Sequence, residues 1–471
     1  MSRISRQRFL RGAAAAACGL LAAACDLRPS STPQLEVPGA ATAVPPRPPG
    51  GMPAQASPPR TVQVLTWSDW LEVHRDVLDL LAEEFTSRHP PLTVDWQPVP
   101  LTSGPDAPAL GLQIEQLHSA GLLFDVMQLP LDFTSHLFIG DAAVDLYPYI
   151  RSDKYDLADY WPGAIEAMQW QRQLYGLHTQ VRPSVLLLNR ALFEQVGLPM
   201  PMTAWTWPQF LAAARRLTDR RQSRPIFGFA LAVPRHYFTL PWVWGNGGTM
   251  LSADRGESLV AGPAAQEALQ WLRDLALVHE LNPRGTDLRE ADAHHAGDLF
   301  VDGQLAILYG FGGSGRTLTH TSGRASRGYA IAAPPRGPRQ AASFLGRFFG
   351  ACHLSKTARV PEEAWRFLSW WTSLETQRQY QAKPNRFVLP PARRSLADEF
   401  VDRYGAATLA VLAYARPLPL HPKWYDLVQA YDQGLVPVWK GEQSVAEATA
   451  AIASEQNAIL AEWRRKQQGT P

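Results

Sequence analysis

Cysteine is scarce in this chain: there are three among 471 residues, Cys18, Cys25 and Cys352. A disulfide framework is thereby excluded, and stability has to come from buried apolar cores. Neither sign of charge is in excess. With 45 basic and 43 acidic side chains the net charge is +2, without the one-sided basic cluster that a nucleic-acid partner requires. The apolar run Ala13–Ala24 is shorter than the roughly 18 to 20 residues of a transmembrane helix. Metal-ligand spacing is missing as well. His294 and His295, near Asp292 and Asp298, diverge as neighbours on a helix and have no second ligand pair, so no metal is expected. The glycine-rich Gly310–Gly315 lacks the Gly-Lys-Ser/Thr ending that holds a nucleotide, and no cofactor is expected either.

Tryptophan, by contrast, is plentiful, with 16 rings, and rigid aromatic faces suit flat ligands such as sugars. The N-terminus carries Arg3, Arg6, Arg8 and Arg11, then Ala13–Ala24, then Cys25. That order predicts an export signal over residues 1–25. Leu21-Ala22-Ala23-Ala24-Cys25 resembles a lipobox, which makes Cys25 the expected lipidation site; Cys18, after Ala15-Ala16-Ala17, is a rival. Ser5-Arg6-Gln7-Arg8-Phe9-Leu10 is similar to a twin-arginine signal interrupted by Gln7, so both export routes stay open. Residues 26–60, rich in proline, alanine, serine and glycine, cannot bury enough apolar surface to order themselves, and are read as a disordered tether with a reach of about 30 Å. With Cys25 acylated, Cys352 is the remaining thiol; beside it, His353 falls on the opposite strand face, so Cys352 is expected to be a small buried hydrophobe.

The folded part opens with the alternating strand Thr61–Trp67, a helix over 72–87 with Val77, Leu78, Leu81, Ala82 and Phe85 at helical spacing, and a strand at Leu92–Trp96. A helix over 110–120 and a strand at Phe124–Leu129 follow. Alternating strands and helices imply a parallel sheet, whose ligands bind beyond the carboxyl ends of the strands. Those ends are Trp67 to Trp70 and Gln128 to Asp132. Further on, Pro162-Gly163 opens a short helix, Gln171-Arg172-Gln173 is a polar turn, and Val181–Leu188 is too apolar for an exposed edge strand. His178, Thr179, Gln180 and Arg182 interrupt its start, and buried polar groups need hydrogen-bond partners.

Tyr175-Gly176-Leu177-His178, then Leu188-Asn189, then Ala191-Leu192-Phe193 together resemble the hinge-crossing strand and following helix of the bacterial extracellular solute-binding proteins (family 1) of ABC importers, in the maltose-binding-protein-like sugar-binding branch. His178 replaces the usual proline and Leu188 the usual tyrosine. The order of further motifs agrees with that family: Phe85 and His89-Pro90; Thr206-Trp207 with Phe210; Phe300–Gly313; Ser355-Lys356; Asn385–Pro391; and Trp424 before the closing helix. The resemblance spans residues 61–463. It implies an α/β, two-lobed periplasmic-binding-protein fold (type II), with hinge strands joining two α/β lobes. Lobe 1 is expected over 61–180 and 350–395, and lobe 2 over 181–349 and 396–471, with crossings near 180, 350 and 395.

The implied function is that of a substrate-binding lipoprotein on the outer face of the cell membrane. It captures a sugar or oligosaccharide between the lobes and delivers it to the permease subunits of an ABC transporter, as a monomer without enzymatic activity. Candidate ligand residues are Trp67, Asp69, Gln128, Trp242, Trp244 and Phe311. Asp132, Arg182 and Trp424 join them on family position. Substitution of Trp424 is expected to abolish sugar binding and leave the free protein's stability nearly unchanged. Arg182, Arg316, Arg347 and Arg386 keep an anionic solute such as a glycerophosphate open, since arginine suits planar anions. A glycoside hydrolase using Asp69 and Asp132, with carboxylates about 5 to 10 Å apart, and a sensory lipoprotein that serves no permease are the other readings.

Overall fold

The computed structural model describes residues 60–99, 116, 124–129, 142–201, 204–232, 234–282, 293–311, 328–346, 351–382, 389–419 and 421–468. The export signal, Cys25, nearly all of the tether, all but one residue of the helix expected over 110–120, and Asp132, Arg316, Arg347 and Arg386 lie outside them. The strands are β1 (Arg60–Trp67), β2 (Leu92–Val99), β3 (Val126–Leu129), β4 (Gln169–Trp170), β5 (Gln173–Leu174), β6 (Leu177–His178), β7 (Ser184–Asn189), β8 (Phe227–Leu231), β9 (Leu305–Phe311), β10 (Tyr329–Ala332), β11 (Ser343–Phe344), β12 (Ala351–Leu354) and β13 (Ala415–Arg416).

Two sheets organise the two lobes. The first has the order β2-β1-β3-β12-β6 and the second β10-β7-β9-β8. β1 pairs in parallel with both β2 and β3, as the helix-strand alternation requires, whereas β12 joins β3 antiparallel. Alternate side chains serve opposite faces of each sheet. Val62 and Val64 enter one first-lobe core with Phe85 and Phe367, while Leu65 joins Met127 on the other face. In β7, Leu186 and Leu188 pack on one side and Val185 and Leu187 on the other. Burying each such side chain stabilises the fold by about 1.5 to 3 kcal/mol.

Local signals place the helix starts. Thr206 caps helix Trp207–Leu217 in a reciprocal box with Gln209, and Pro208 sits in the first turn, where its missing N–H costs nothing. The Asn189 side chain accepts a hydrogen bond from Leu192 N, so the residue that ends β7 also starts helix Arg190–Gln195. The helix expected from residue 72 begins four residues earlier, at Ser68–Arg88. No described helix is long and apolar enough to cross a membrane. Cys352 is fully buried in β12, where burial pushes its thiol pKa up, and His353 donates from Nδ1 to the Tyr175 carbonyl at 2.7 Å.

Among the described residues the chain passes between the lobes three times, and at each passage neighbouring residues change core. Val181 belongs to the first-lobe core and Val185 to the second. Phe344 packs in the second lobe, Leu345 in the first. Ala415 packs in the first, Leu418 in the second. The crossings are stitched together: Pro183 bridges Leu345, Gly346 N donates to Arg182 O at 2.9 Å, and β11 pairs with β13.

The third crossing therefore lies at 415–418, not near 395. Leu389–Arg393 is held to the first lobe instead. Pro390 and Pro391 have no N–H to donate, but their carbonyls accept, from Val181 N at 2.8 Å and from the Trp161 indole at 3.0 Å. Ala397, Tyr404, Leu409 and Leu412 then bury in the first-lobe core, so 396–415 packs there and not with the second lobe. The second lobe takes up the chain again with helices Trp424–Gly434 and Val445–Gln468.

Candidate functional site

The carboxyl ends of β1 and β3 carry Trp67 and Gln128. Trp67 closes β1 and Asp69 lies in the first turn of helix Ser68–Arg88; their side chains fall outside what the structure describes. Gln128 is buried, and its side-chain carbonyl accepts the Thr66 hydroxyl at 2.8 Å, which ties β3 to β1 one residue before β1 ends.

Arg182 stands in the first crossing. Its guanidinium lies 4.9 Å from the centroid of the Phe311 ring, a cation–π distance. The residue is only 7% exposed, and burial pulls its pKa down to about 9, so it stays cationic at neutral pH. Phe311 ends β9 and extends into an aromatic wall, with ring centroids 4.9 Å from Phe238, 6.0 Å from Phe344 and 6.3 Å from Tyr237. The wall continues from Tyr237 to His236 at 4.1 Å and from His236 to Trp424 at 6.0 Å. His236 is fixed by Asp432, which accepts from both its backbone N–H and Nδ1 at 2.8 Å.

Three of the expected residues, Arg182, Phe311 and Trp424, are thus joined through His236 and Tyr237. The latter two were not expected from the sequence. The signal was there: Arg235-His236-Tyr237-Phe238 opens the same helix that carries Trp242 and Trp244, and its polar aromatics are the ones that reach Phe311 and Trp424.

Trp242 and Trp244 fall outside the chain of contacts that runs from Arg182 to Trp424. Helix His236–Gly245 is buried at every residue. Trp242 packs among Trp207, Phe210, Phe229 and Tyr309, at 5.6, 5.7, 6.0 and 6.0 Å. Trp244 is buried in the same core, its carbonyl taking the Gln340 amide at 2.6 Å. Large rings on a wholly buried helix fill the second lobe, which is what rings of that volume do best. Trp424 is itself only 5% exposed. Its removal is therefore a packing change as well as a site change, contrary to the expectation of nearly unchanged stability. Among the described residues no group of three or more His, Cys, Asp or Glu side chains could hold a metal ion.

Residues 72–378 match the family described as bacterial extracellular solute-binding protein. The fold is similar to the sugar-binding protein MalE from Xanthomonas citri, with TM-score 0.73 and 20% identity over 88% of this chain and 100% of that one. It is similar too to the cyclic α-maltosyl-1,6-maltose binding protein from Arthrobacter globiformis, with TM-score 0.70 and 18% identity over 86% and 100%. An ABC substrate-binding protein from Listeria monocytogenes in complex with cycloalternan gives TM-score 0.68 and 20% identity over 86% and 100%. No curated protein sequence matches. The family match spans most of the chain, and the two-lobed α/β architecture with three crossings accompanies it: this protein belongs to the bacterial extracellular solute-binding proteins.

Proposed function

We propose that this protein is the substrate-binding lipoprotein of an ABC importer, anchored through Cys25, which captures a sugar or oligosaccharide between its lobes and presents it to a permease on closing. The observation that carries the reading is the position of Arg182. It lies in the crossing segment just before β7, stacked on Phe311, at the head of an aromatic wall that ends at Trp424. A ligand held against that wall from the first-lobe strand ends, Trp67, Asp69 and Gln128, spans the hinge. Contacts to both lobes favour the closed state by the difference in affinity between closed and open forms. The structural relatives named above are a sugar-binding protein, a cyclic maltosyl-maltose binding protein and a cycloalternan complex, which supports a saccharide. The protein works as a monomer and makes or breaks no bond.

The buried positive charge of Arg182 favours one second reading, a solute with an anionic group such as a glycerophosphate. A thermal-shift series over maltose, maltotetraose, a cyclic maltooligosaccharide and glycerol 3-phosphate separates the two. At 100 times its dissociation constant the true ligand adds about 2.7 kcal/mol of stability. Stabilisation by saccharides alone is expected; stabilisation by glycerol 3-phosphate alone replaces the first reading with the second. Release of shortened products from any oligosaccharide would remove both in favour of a hydrolase.

A further inference from the structure

A second interlobe feature shares no lining residue with the Arg182–Trp424 wall. Beside the third crossing a groove of about 740 Å³ opens. Tyr147 and the β4–β5 hairpin line its first-lobe side; the turn Ala253–Gly256 and the end of helix Val445–Gln468 line the other, together with His421.

Its chemistry is one-sided. Trp170, His421 and Trp463 form an aromatic corner, with centroids 5.9, 4.8 and 6.4 Å apart and steep interplanar angles. The Arg255 guanidinium lies 5.1 Å from the Trp170 ring centroid. Three arginines, Arg172, Arg255 and Arg464, face a single lining carboxylate, Asp254. Its Oδ1 accepts from Ser252 Oγ at 2.5 Å and Gly256 N at 3.1 Å, and the charge of Arg464 acts on it as well. Glu166, outside the lining, offsets part of the Arg255 charge. The Trp463 indole N–H is buried and has no acceptor. His421 Nδ1 accepts the Lys423 N–H at 2.9 Å, and burial, then Arg255 and Lys423, bring its pKa down to about 4. The neutral ring therefore carries its proton on Nε2, as another donor.

Backbone strain gathers at the same place. Five non-glycine residues among those described have positive φ, and three of them line this groove: Gln171 at 47°, Arg172 at 67° and Arg255 at 61°. Two-residue hairpin turns of this kind ordinarily use Asn or Gly, and such conformations persist at ligand clamps. A buried indole N–H without an acceptor, flat rings and a net positive lining specify the complement.

We propose that this groove is a second binding site, for a small molecule with one flat apolar face, which stacks on the indoles, and one anionic group, carboxylate or phosphate, held by Arg172, Arg464 and the Trp463 N–H. It needs no bond-making and is independent of which sugar the other cleft takes.

The test is calorimetric titration of the mature protein, already saturated with its main-cleft ligand, with glucuronate, glucose 6-phosphate and benzoate, and with glucose as the neutral control. At least one anion is expected to bind with quenching of tryptophan fluorescence, while glucose at the same concentration does not. Which anion binds tells carboxylate from phosphate. Arg464→Gln, an exposed position, is expected to weaken that binding at least tenfold and to leave the main-cleft ligand's affinity unchanged; Trp463→Phe removes the N–H and should weaken it several-fold. Failure of all three anions to bind overturns the proposal. So does binding that survives both Arg464→Gln and Arg172→Gln, which would put the anion in the other cleft.

Discussion

The Arg182 guanidinium rests 4.9 Å from the centre of the Phe311 ring, so a charge carried by a crossing segment is buried against the end of a second-lobe strand. This contact joins the first crossing to the end of β9. A cation stacked on an aromatic plane keeps much of its charge available while losing water.

Arg182→Lys should weaken ligand binding, because an ammonium keeps the charge and loses the plane. Loss of about 1 to 2 kcal/mol, roughly a 5- to 30-fold rise in Kd, is expected. Calorimetry with the ligand found by thermal shift measures it, and unchanged affinity would place the arginine outside the site.

Trp424→Ala is expected to cost about 3 to 5 kcal/mol of stability without ligand, as large-to-small core changes do, because the ring is 5% exposed and packs in the second-lobe core. Urea unfolding gives the figure. Trp424→Phe keeps most of the packing, so any loss of ligand response in that variant reports on the site.

Acid should destabilise the protein through its buried histidines. Burial, then His353, lowers the pKa of His178 to about 3, and burial lowers those of His353 and His421 to about 4. Below its ordinary pKa of about 6.5 the unfolded chain binds protons that the folded chain does not, so stability rises with pH across the window from about 4 to 6.5. Each histidine contributes up to about 1.4 kcal/mol per pH unit there. His178→Gln should flatten the dependence between pH 6.5 and 4 by up to that slope. A parallel curve in urea titrations at stepped pH would show that His178 is not buried neutral.

Cys352 should ignore a thiol reagent at pH 8 in the native mature protein and react in full once it is unfolded, since it is completely buried and its thiol pKa is raised. Absorbance after adding a disulfide reagent, with and without guanidinium, decides it.

Cys25→Ser should move the protein from the membrane fraction to the soluble exported fraction, with the two-lobed body unaltered. Fractionation with immunoblotting reads this out; retention on the membrane would transfer the anchor to another residue.

Much of the fold was legible because its signals are local. The unbroken apolar run of β7 announced a strand buried on both faces, and Thr206-Trp207 with Phe210 matched the family's helix start. The third crossing was misplaced because a proline pair reads as an exit. In the structure the same two prolines offer carbonyls to Val181 and Trp161 and stay with the first lobe. Trp242 and Trp244 attracted attention through ring size and neighbouring glycines, yet ring size also makes a good core filler, and sequence does not say which face of a helix this rich in large rings is outermost. His236 and Tyr237 went unnoticed because their partners, Asp432, Trp424 and Phe311, are distant in sequence and contact depends on the tertiary fold. The groove at Trp170 was half visible: Gln171-Arg172 was read as a turn, but its opposite wall comes from residues 253–256 and 460–464.

The change of core between Phe344 and Leu345, and again between Ala415 and Leu418, bears on biosynthesis. Neither half of the molecule is a contiguous piece of chain. During synthesis the first body cannot seal its interior until Leu412 and Ala415 have emerged, nor the second until Leu460 has. A nascent polypeptide stays open until it is almost finished, and a gene cut at residue 183 would leave the first fragment without the share of its own centre that Leu345–Ala415 supplies, while the second fragment would carry that share beside a complete second-lobe core.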